Sequence, residues 1–164
     1  MNANKYTQKS LEAIQEAQAI ATEYSNQQIE QPHLMLALLQ TENGLIPQLL
    51  TKMGLTVPSF AAAVKNEVQK LPRVSGSGRE QGKIYVAQDV DKALNTAESV
   101  AASMKDEYVS VEHLLLALVE CANSSLKHLF QTYRITRESI LQALSSIRGN
   151  QRVTSDNPEE TYDA

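Results

Sequence analysis

The stretch His33-Leu34-Met35-Leu36-Ala37-Leu38 is repeated almost unchanged as His113-Leu114-Leu115-Leu116-Ala117-Leu118, 80 residues later in the chain. The same offset keeps small and apolar positions in register, without a gap, over about 60 residues around the two stretches. The aligned pairs include Ala13 with Ala93, Ala17 with Ala97, Ile20 with Val100, Leu49 with Leu129 and Ala63 with Ala143. Two copies of one unit therefore make up most of the chain.

Each unit is predicted to form four helices, because its apolar residues recur every three or four positions and helix-breaking residues separate the runs. The helices expected in the first unit lie at about 7–24, from Pro32 onward, at 45–53 and at 56–69. In the second unit, Ser110 and Thr136 are expected to be N-caps. The second helix of each unit is apolar on all sides, so it should be buried.

The predicted fold class is all-α, with two pseudo-symmetric four-helix repeats, about eight helices in total, joined by a flexible loop. The expected boundaries are about 6–70 for the first repeat, 71–87 for the loop and 88–149 for the second repeat, within a domain that covers 1–149. The stretch Pro72-Arg73-Val74-Ser75-Gly76-Ser77-Gly78 has the composition of a loop. Residues 150–164 are polar and lack apolar periodicity, so we expect a flexible linker there.

Composition and charge exclude several classes of protein. Apolar residues make up 42% of the 164 residues, which is enough for a compact core and too many for a disordered chain. The last fifteen residues carry −3 of the net charge of −4, so the body lacks the basic surface that nucleic acids require. The longest apolar run, 114–119, is far shorter than the roughly 20 residues that span a bilayer. We therefore expect no nucleic-acid partner and no membrane.

Few residues offer catalytic or metal-binding chemistry. Cys121 is the only cysteine, which suits a reducing cytoplasmic compartment and a structural thiol. His33 and His113 stand at equivalent helix starts, where each ring is expected to bond backbone, since two imidazoles do not complete a metal site. Asp106 and Glu112 would act as acid and base only in a shared cleft, and Glu112 is expected near the positive end of a helix. We predict no catalytic residue, metal or bound cofactor in this chain.

Three further strings carry a resemblance to a known family: Tyr6-Thr7-Gln8-Lys9, Asp106-Glu107-Tyr108-Val109-Ser110-Val111-Glu112-His113 and Asp156-Asn157-Pro158-Glu159-Glu160. With the doubled unit, they resemble the N-terminal domain of Clp-family AAA+ chaperones, and most closely that of the family's disaggregases. The resemblance implies a mobile substrate-engaging domain on a hexameric unfoldase, whose ATPase modules use ATP and Mg²⁺. Those modules are absent here, because the chain contains no G-x-x-x-x-G-K-[ST] motif for nucleotide binding. The linker at 150–164 would lead to the first of them.

The resemblance also implies a substrate-binding site. Position by position, the family's patch matches Thr7, Asp106 and Glu112. An apolar groove that is open to solvent is expected beside this patch. The residues expected to line the groove or flank the patch are Tyr6, Val90, Leu94, Tyr108 and Val109. A tyrosine ring with its hydroxyl group suits a wet groove that takes in unfolded segments.

We therefore expect a binding module that captures exposed hydrophobic segments of unfolded or aggregated proteins and hands them to the hexameric motor. Because hydrophobic contact is not directional, such capture should be weak and tolerant of sequence. Two alternatives remain open: a domain that docks adaptors for a Clp protease ATPase, and, more remotely, a metal-assisted or nucleophilic enzyme. The chain by itself is not expected to be an enzyme.

Overall fold

The computed structural model describes residues 1–41, 44–74, 84–149, 152–156 and 158. Within these ranges the chain forms eight α-helices, one short 3-10 helix at Ala3–Lys5 and two strands of two residues each. The elements of the first repeat are α1 (Gln8–Glu23), β1 (Gln28–Ile29), α2 (Gln31–Leu39), α3 (Leu45–Lys52) and α4 (Val57–Gln69). Those of the second repeat are β2 (Tyr85–Val86), α5 (Gln88–Ser103), α6 (Val111–Glu120), α7 (Ser124–Thr132) and α8 (Arg137–Arg148). The predicted all-α class is confirmed.

The helix boundaries follow capping residues in the sequence. Thr136 caps α8 as predicted, because its Oγ1 accepts the backbone N–H of Ser139 at 3.1 Å. Gly54 follows α3 with a φ of +91°, a left-handed conformation that glycine adopts without strain. α2 begins at Gln31, one residue before its predicted start. The glycine-rich part of the predicted loop, 75–83, lies outside the described residues.

α2 and α6 form the centre of the fold. All nine residues of α2 are buried, and so are the first eight residues of α6, which confirms the prediction made from their apolar sequences. α1 packs on α2 and α5 packs on α6. These pairs meet at buried alanines, which permit close approach of the helix axes: Ala17, Ala21, Ala97 and Ala101. In the described part of the chain, no helix combines the length and apolar character needed to cross a membrane.

The two repeats pair with each other through short segments of backbone. β1, which follows α1, pairs in parallel with β2, which precedes α5, so that Ile29 lies opposite Val86. An isolated parallel bridge joins Tyr6, which precedes α1, to Val109, which follows α5. The offset of 80 residues relates Tyr6 to Val86 and Ile29 to Val109, so the two pairings are equivalent by the internal symmetry. The bridge between Tyr6 and Val109 places the N-terminal segment beside the loop that precedes α6.

Gln31, at the start of α2, joins the repeats through a buried amide. Its Nε2 donates to the carbonyl oxygens of Asp89 at 3.2 Å and Cys121 at 2.8 Å. Its Oε1 accepts the backbone N–H of Asn123 at 2.8 Å. The residue is completely buried. Three backbone groups of the second repeat therefore depend on one side chain of the first.

Replacing Gln31 by methionine should lower the free energy of unfolding by about 1–3 kcal/mol, because backbone groups near Cys121 and Asn123 lose their partner. Urea unfolding followed by circular dichroism measures the change. Gln142→Met, at an exposed position of α8, is the matched control and should stay within about 0.5 kcal/mol of wild type. Equal stability of the two variants would contradict the role of Gln31 as a link between the repeats.

Candidate functional site

Thr7 lies where the N-terminal segment meets the second repeat. Its backbone N–H donates to the carbonyl oxygen of Val109 at 2.9 Å, and the Ser10 hydroxyl donates to the same oxygen at 2.8 Å. Thr7 Oγ1 accepts the backbone N–H of Ser10 at 3.2 Å and so caps α1. Both residues are completely buried. Thr7 therefore fixes the start of α1 against the loop before α6.

His113, in the first turn of α6, is held by two hydrogen bonds. Its Nδ1 accepts the backbone N–H of Ser110 at 2.9 Å, which confirms the predicted contact with backbone at the helix start. Because Nδ1 is the acceptor, the ring proton is on Nε2, which donates to Asp106 Oδ2 at 2.7 Å. The imidazole is therefore neutral, and its two partners fix its orientation.

The guanidinium group of Arg148, at the C-terminal end of α8, lies between two carboxylates. Its Nη2 is 2.6 Å from Asp106 Oδ1, and its Nη1 is 3.3 Å from Glu112 Oε2. The two acidic side chains are 0% exposed and the arginine is 4% exposed. No donor among the described residues reaches the other oxygen of Glu112, Oε1. We call Asp106, Glu112, His113 and Arg148 the buried charge cluster.

Asp106 is ionised in this environment. Burial by itself would raise its pKa, but hydrogen bonds from His113, Arg148 and the backbone N–H of Val153 outweigh burial, with help from the charge of Arg148. The net effect holds the pKa of Asp106 well below its ordinary value of 3.8. The carboxylate is therefore charged at neutral pH and orders its partners around it.

The first repeat has a neutral version of this arrangement. The offset of 80 residues gives the counterparts of Asp106, Glu112, His113 and Arg148, which are, in order, Asn26, Pro32, His33 and Val68. His33 Nδ1 accepts the N–H of Glu30 at 2.8 Å, and its Nε2 lies 2.8 Å from Asn26 Oδ1. Burial lowers the pKa of His33 to about 4, so this ring is also neutral. The repeat thus folds with an amide, a proline and a valine where the second repeat has three charges.

The C-terminal part of the chain lies against the buried charge cluster. The N–H of Val153 donates to Asp106 Oδ1 at 2.9 Å, and its carbonyl oxygen accepts the N–H of Glu107 at 2.7 Å. Three residues later, the carbonyl oxygen of Asp156 accepts the N–H of Gln8 at 2.7 Å. The Asp156 carboxylate also accepts a hydrogen bond from Gln8 Nε2 at 3.2 Å. The C-terminal part of the chain is therefore held at two points, Val153 and Asp156, and at each point a backbone carbonyl oxygen accepts a backbone N–H.

The tail segment, which we define as 152–156, differs from the flexible linker expected from its composition. Val153 is completely buried, whereas Thr154 and Ser155 are exposed. One apolar side chain and hydrogen bonds to a charged carboxylate are enough to hold a short polar stretch. The surface beneath it, formed by Gln8, Asp106 and Glu107, is called the tail-binding strip.

The residues predicted to line an open groove are buried or half-buried. The exposed fractions are 2% for Tyr6, 3% for Val90, 5% for Leu94 and 2% for Val109, and Tyr108 is half-buried. The Tyr6 hydroxyl donates to Glu98 Oε2 at 3.0 Å and also lies 3.3 Å from the carbonyl oxygen of Leu94. The N-terminal segment, fixed by its bridge to Val109, thus covers surface that the sequence alone leaves open.

The described residues contain no group of three or more His, Cys, Asp or Glu side chains that could hold a metal ion. Both ring nitrogens of His33 and of His113 are already engaged. Cys121 is half-buried, and its thiol lies 3.3 Å from Thr96 Oγ1, in keeping with a structural thiol.

Comparison with known proteins assigns the doubled helical unit to a family. The family described as the Clp repeat (R) N-terminal domain matches residues 5–133. The chain belongs to this family. The chaperone protein ClpB of Nitratidesulfovibrio vulgaris is 42% identical over 165 aligned positions, which cover all of this chain. The chain spans 19% of the length of that chaperone. The predicted resemblance is confirmed.

Solved structures of Clp N-terminal domains share the fold. The crystal structure of the Hsp104 N-terminal domain from Candida albicans matches with a TM-score of 0.81 and 22% identity, over 94% of this chain and 99% of that one. A ClpV N-domain in complex with a VipB peptide matches with a TM-score of 0.69 and 17% identity, over 95% and 91% of the two chains. Likeness at these identities concerns the fold alone.

Sequence reasoning named two members of the charge cluster in this Clp domain, Asp106 and Glu112, for the site but missed Arg148. The internal repeat contained the signal, because its alignment puts Arg148 against Val68, a buried position of α4. A lone arginine on the apolar face of a helix requires a buried acid as its partner. Val153 gave no comparable signal, since it is a single apolar residue in a polar stretch.

Asp106→Asn should lower the free energy of unfolding at pH 7 by about 1–3 kcal/mol, because asparagine has one acceptor oxygen in place of two, so that His113, Arg148 and Val153 cannot all keep an acceptor. The pKa of Asp106 is lowered in the folded protein, so its carboxylate stabilises the fold above pH 3.8 and this stabilisation is lost as the pH falls below that value. The difference in the free energy of unfolding between wild type and variant should therefore be largest at neutral pH and decrease below about pH 4. Urea unfolding at a series of pH values measures it.

Glu16→Gln, which neutralises an exposed acid on α1, is the control for this series. Its stability should follow that of wild type at every pH within about 0.5 kcal/mol. A deficit of Asp106→Asn that stays constant from pH 7 to pH 3 would contradict the assignment of an ionised, stabilising carboxylate.

Proposed function

We propose that this Clp repeat N-terminal domain binds exposed apolar segments of unfolded or aggregated polypeptides. The family and the ClpB relatives support this role, and the chain spans only 19% of the length of the ClpB relative described above. For the longer protein, we propose that bound segments pass to hexameric ATPase modules that use ATP and Mg²⁺ in the cytoplasm. The present chain supplies the capture and no catalysis of its own.

One observation carries the proposal: charges occupy the second repeat at places where the first repeat is neutral. Buried ion pairs are costly to remove from water and are a weak source of stability. The first repeat folds around Asn26, Pro32 and Val68 at the corresponding positions. The repeat unit can therefore fold without these charges, and this supports a binding role for Asp106, Glu112 and Arg148 in addition to their contribution to stability.

The tail-binding strip has the chemistry that an extended polypeptide requires. The Asp106 carboxylate accepts a backbone N–H, and the Glu107 N–H donates to a backbone carbonyl oxygen, as both do with Val153. Backbone contacts of this kind let an extended peptide add to a protein surface with little regard to its sequence. The buried place of the Val153 side chain adds a preference for an apolar residue.

We propose that Thr7, Asp106 and Glu112 mark the centre of the binding surface. Thr7 acts through position, since it fixes the start of α1 and with it the Gln8 N–H. Glu112 also acts through position, because its buried carboxylate binds Arg148, which in turn bonds Asp106. The remaining residues of the proposed surface, which form its apolar support, are Tyr6, Val90, Leu94, Tyr108 and Val109.

A second candidate is the docking of one specific partner. A ClpV N-domain of the same fold is known in complex with a VipB peptide, at 17% identity to this chain. Such a domain would bind a single partner tightly and saturably, and it would respond little to unfolded proteins of unrelated sequence. Binding of an unrelated unfolded chain therefore distinguishes the two candidates.

Titration of the ¹⁵N-labelled chain with reduced, carboxymethylated α-lactalbumin, a permanently unfolded protein, tests the proposal. Amide shifts should cluster at Gln8, Asp106, Glu107 and Val109. The first-repeat amide of Asn26 is an internal control and should not shift. Shifts that are spread evenly over both repeats, or absent, would contradict the proposed function.

Glu112→Gln should weaken binding of the same unfolded protein about tenfold, because Arg148 loses one of the two carboxylates that position it beside Asp106. Among the described residues, the tail segment hydrogen-bonds to Asp106, Glu107 and Gln8 and not to Glu112, so the variant leaves the contacts of the tail in place. Glu16→Gln carries the same change of charge at an exposed site and should bind as wild type does. Equal weakening by both variants would indicate a general charge effect and contradict a role for Glu112.

A further inference from the structure

The geometry points to the tail segment as an internal ligand of the tail-binding strip, which an unfolded client must displace before it binds. This inference rests on the proposed function, because it takes the strip to be part of the client-binding surface. It adds a competitor within the same chain and a pattern for the segments that the strip accepts.

The contacts of the tail segment are those of a bound peptide. The Val153 N–H donates to Asp106 Oδ1 at 2.9 Å, and the Val153 carbonyl oxygen accepts the N–H of Glu107 at 2.7 Å. Its side chain is completely buried, while Thr154 and Ser155, which follow it, are exposed. Asp156 then returns to the surface at Gln8. An apolar residue and an acid three positions later thus anchor a short stretch at its two ends.

The corresponding chain in the first repeat is held by different contacts. After α4, the Pro72 carbonyl oxygen accepts a hydrogen bond from Asn26 Nδ2 at 3.0 Å, and the Val74 N–H donates to the Ser25 carbonyl oxygen at 2.8 Å. The counterpart of Val153 by the offset of 80 is Arg73, which is exposed. The first repeat therefore holds its chain without burying a side chain, and the binding of a buried valine is particular to the second repeat.

Covalent attachment lets a weak contact compete. A segment joined to α8 by a few residues is present at its own site at an effective concentration on the order of millimolar. A client in free solution has to compete with the tail segment, so its apparent affinity is its intrinsic affinity multiplied by the fraction of domains in which the tail segment is released. Release of the tail segment would expose the carboxylate of Asp106 and the N–H groups of Glu107 and Gln8 together.

The same contacts specify the segments that compete best. The buried place of Val153 fits an apolar side chain of similar size, and Gln8 Nε2 fits a carboxylate three residues further on. We therefore infer that clients bind through extended stretches with an apolar residue followed, after two residues, by an acidic one.

Val153→Ser in the 164-residue chain tests the inference, with carboxymethylated α-lactalbumin as the client. The amides of Glu107 and Gln8 should exchange with solvent faster in the variant than in wild type, because the tail segment leaves the strip. The client should bind about fivefold more tightly to the variant. Thr154→Ser, a change at the exposed neighbouring residue, should leave both exchange and affinity at wild-type values.

Asp156→Ala is a second variant that removes no buried side chain, so it keeps the test open if Val153→Ser is poorly folded. It should shift exchange and affinity in the same direction by a smaller factor. Equal client affinity in all variants, with faster exchange at Glu107, would overturn the inference and leave the proposed function standing. Exchange at Glu107 that does not change in Val153→Ser would also overturn it. Client binding to none of the chains would instead remove the proposed function, and this inference with it.

Discussion

The carboxylate of Asp106 accepts hydrogen bonds from His113, from Arg148 and from the backbone N–H of Val153. These donors belong to the start of α6, the end of α8 and the tail segment, so one charged group holds three distant parts of the chain together. Its counterpart Asn26 offers an amide in place of a second carboxylate oxygen, and the first repeat is correspondingly built without an arginine. The two repeats therefore differ at this place both in charge and in hydrogen-bonding capacity.

The surroundings of Asp106 depend on the backbone pairing between the repeats. The bridge from Tyr6 to Val109 brings the start of α1 next to the loop before α6, and Thr7 fixes it there. Gln8 consequently faces the same segment as Asp106, although 98 residues separate them in the chain. If the two repeats only packed against each other, without this backbone pairing, these groups would not lie on one surface.

Much of the fold could be predicted from the sequence, because the helices are long and periodic and their apolar faces repeat with a constant offset. The buried α2 and the contacts of His33 and His113 with backbone at the helix starts follow from the same pattern. The two-residue strands could not be predicted, since they are too short for an alternating pattern. At the site, the resemblance named Asp106 and Glu112, but Arg148 entered only through the structure, as its charge conflicts with the apolar face of α8. The position of Val153 depends on hydrogen bonds of its backbone, and the amino-acid composition does not indicate such bonds.

Unfolded polypeptide is expected to bind the second repeat at the strip around Asp106 and not at the equivalent place in the first repeat. Paramagnetic broadening measures this most directly, with an unfolded polypeptide that carries one nitroxide added to the ¹⁵N-labelled chain. We expect strong broadening of the amides of Asp106, Glu107 and Gln8 and no broadening of those of Asn26 and Glu30. Equal broadening at the two equivalent places, or an unbroadened Glu107, would contradict it.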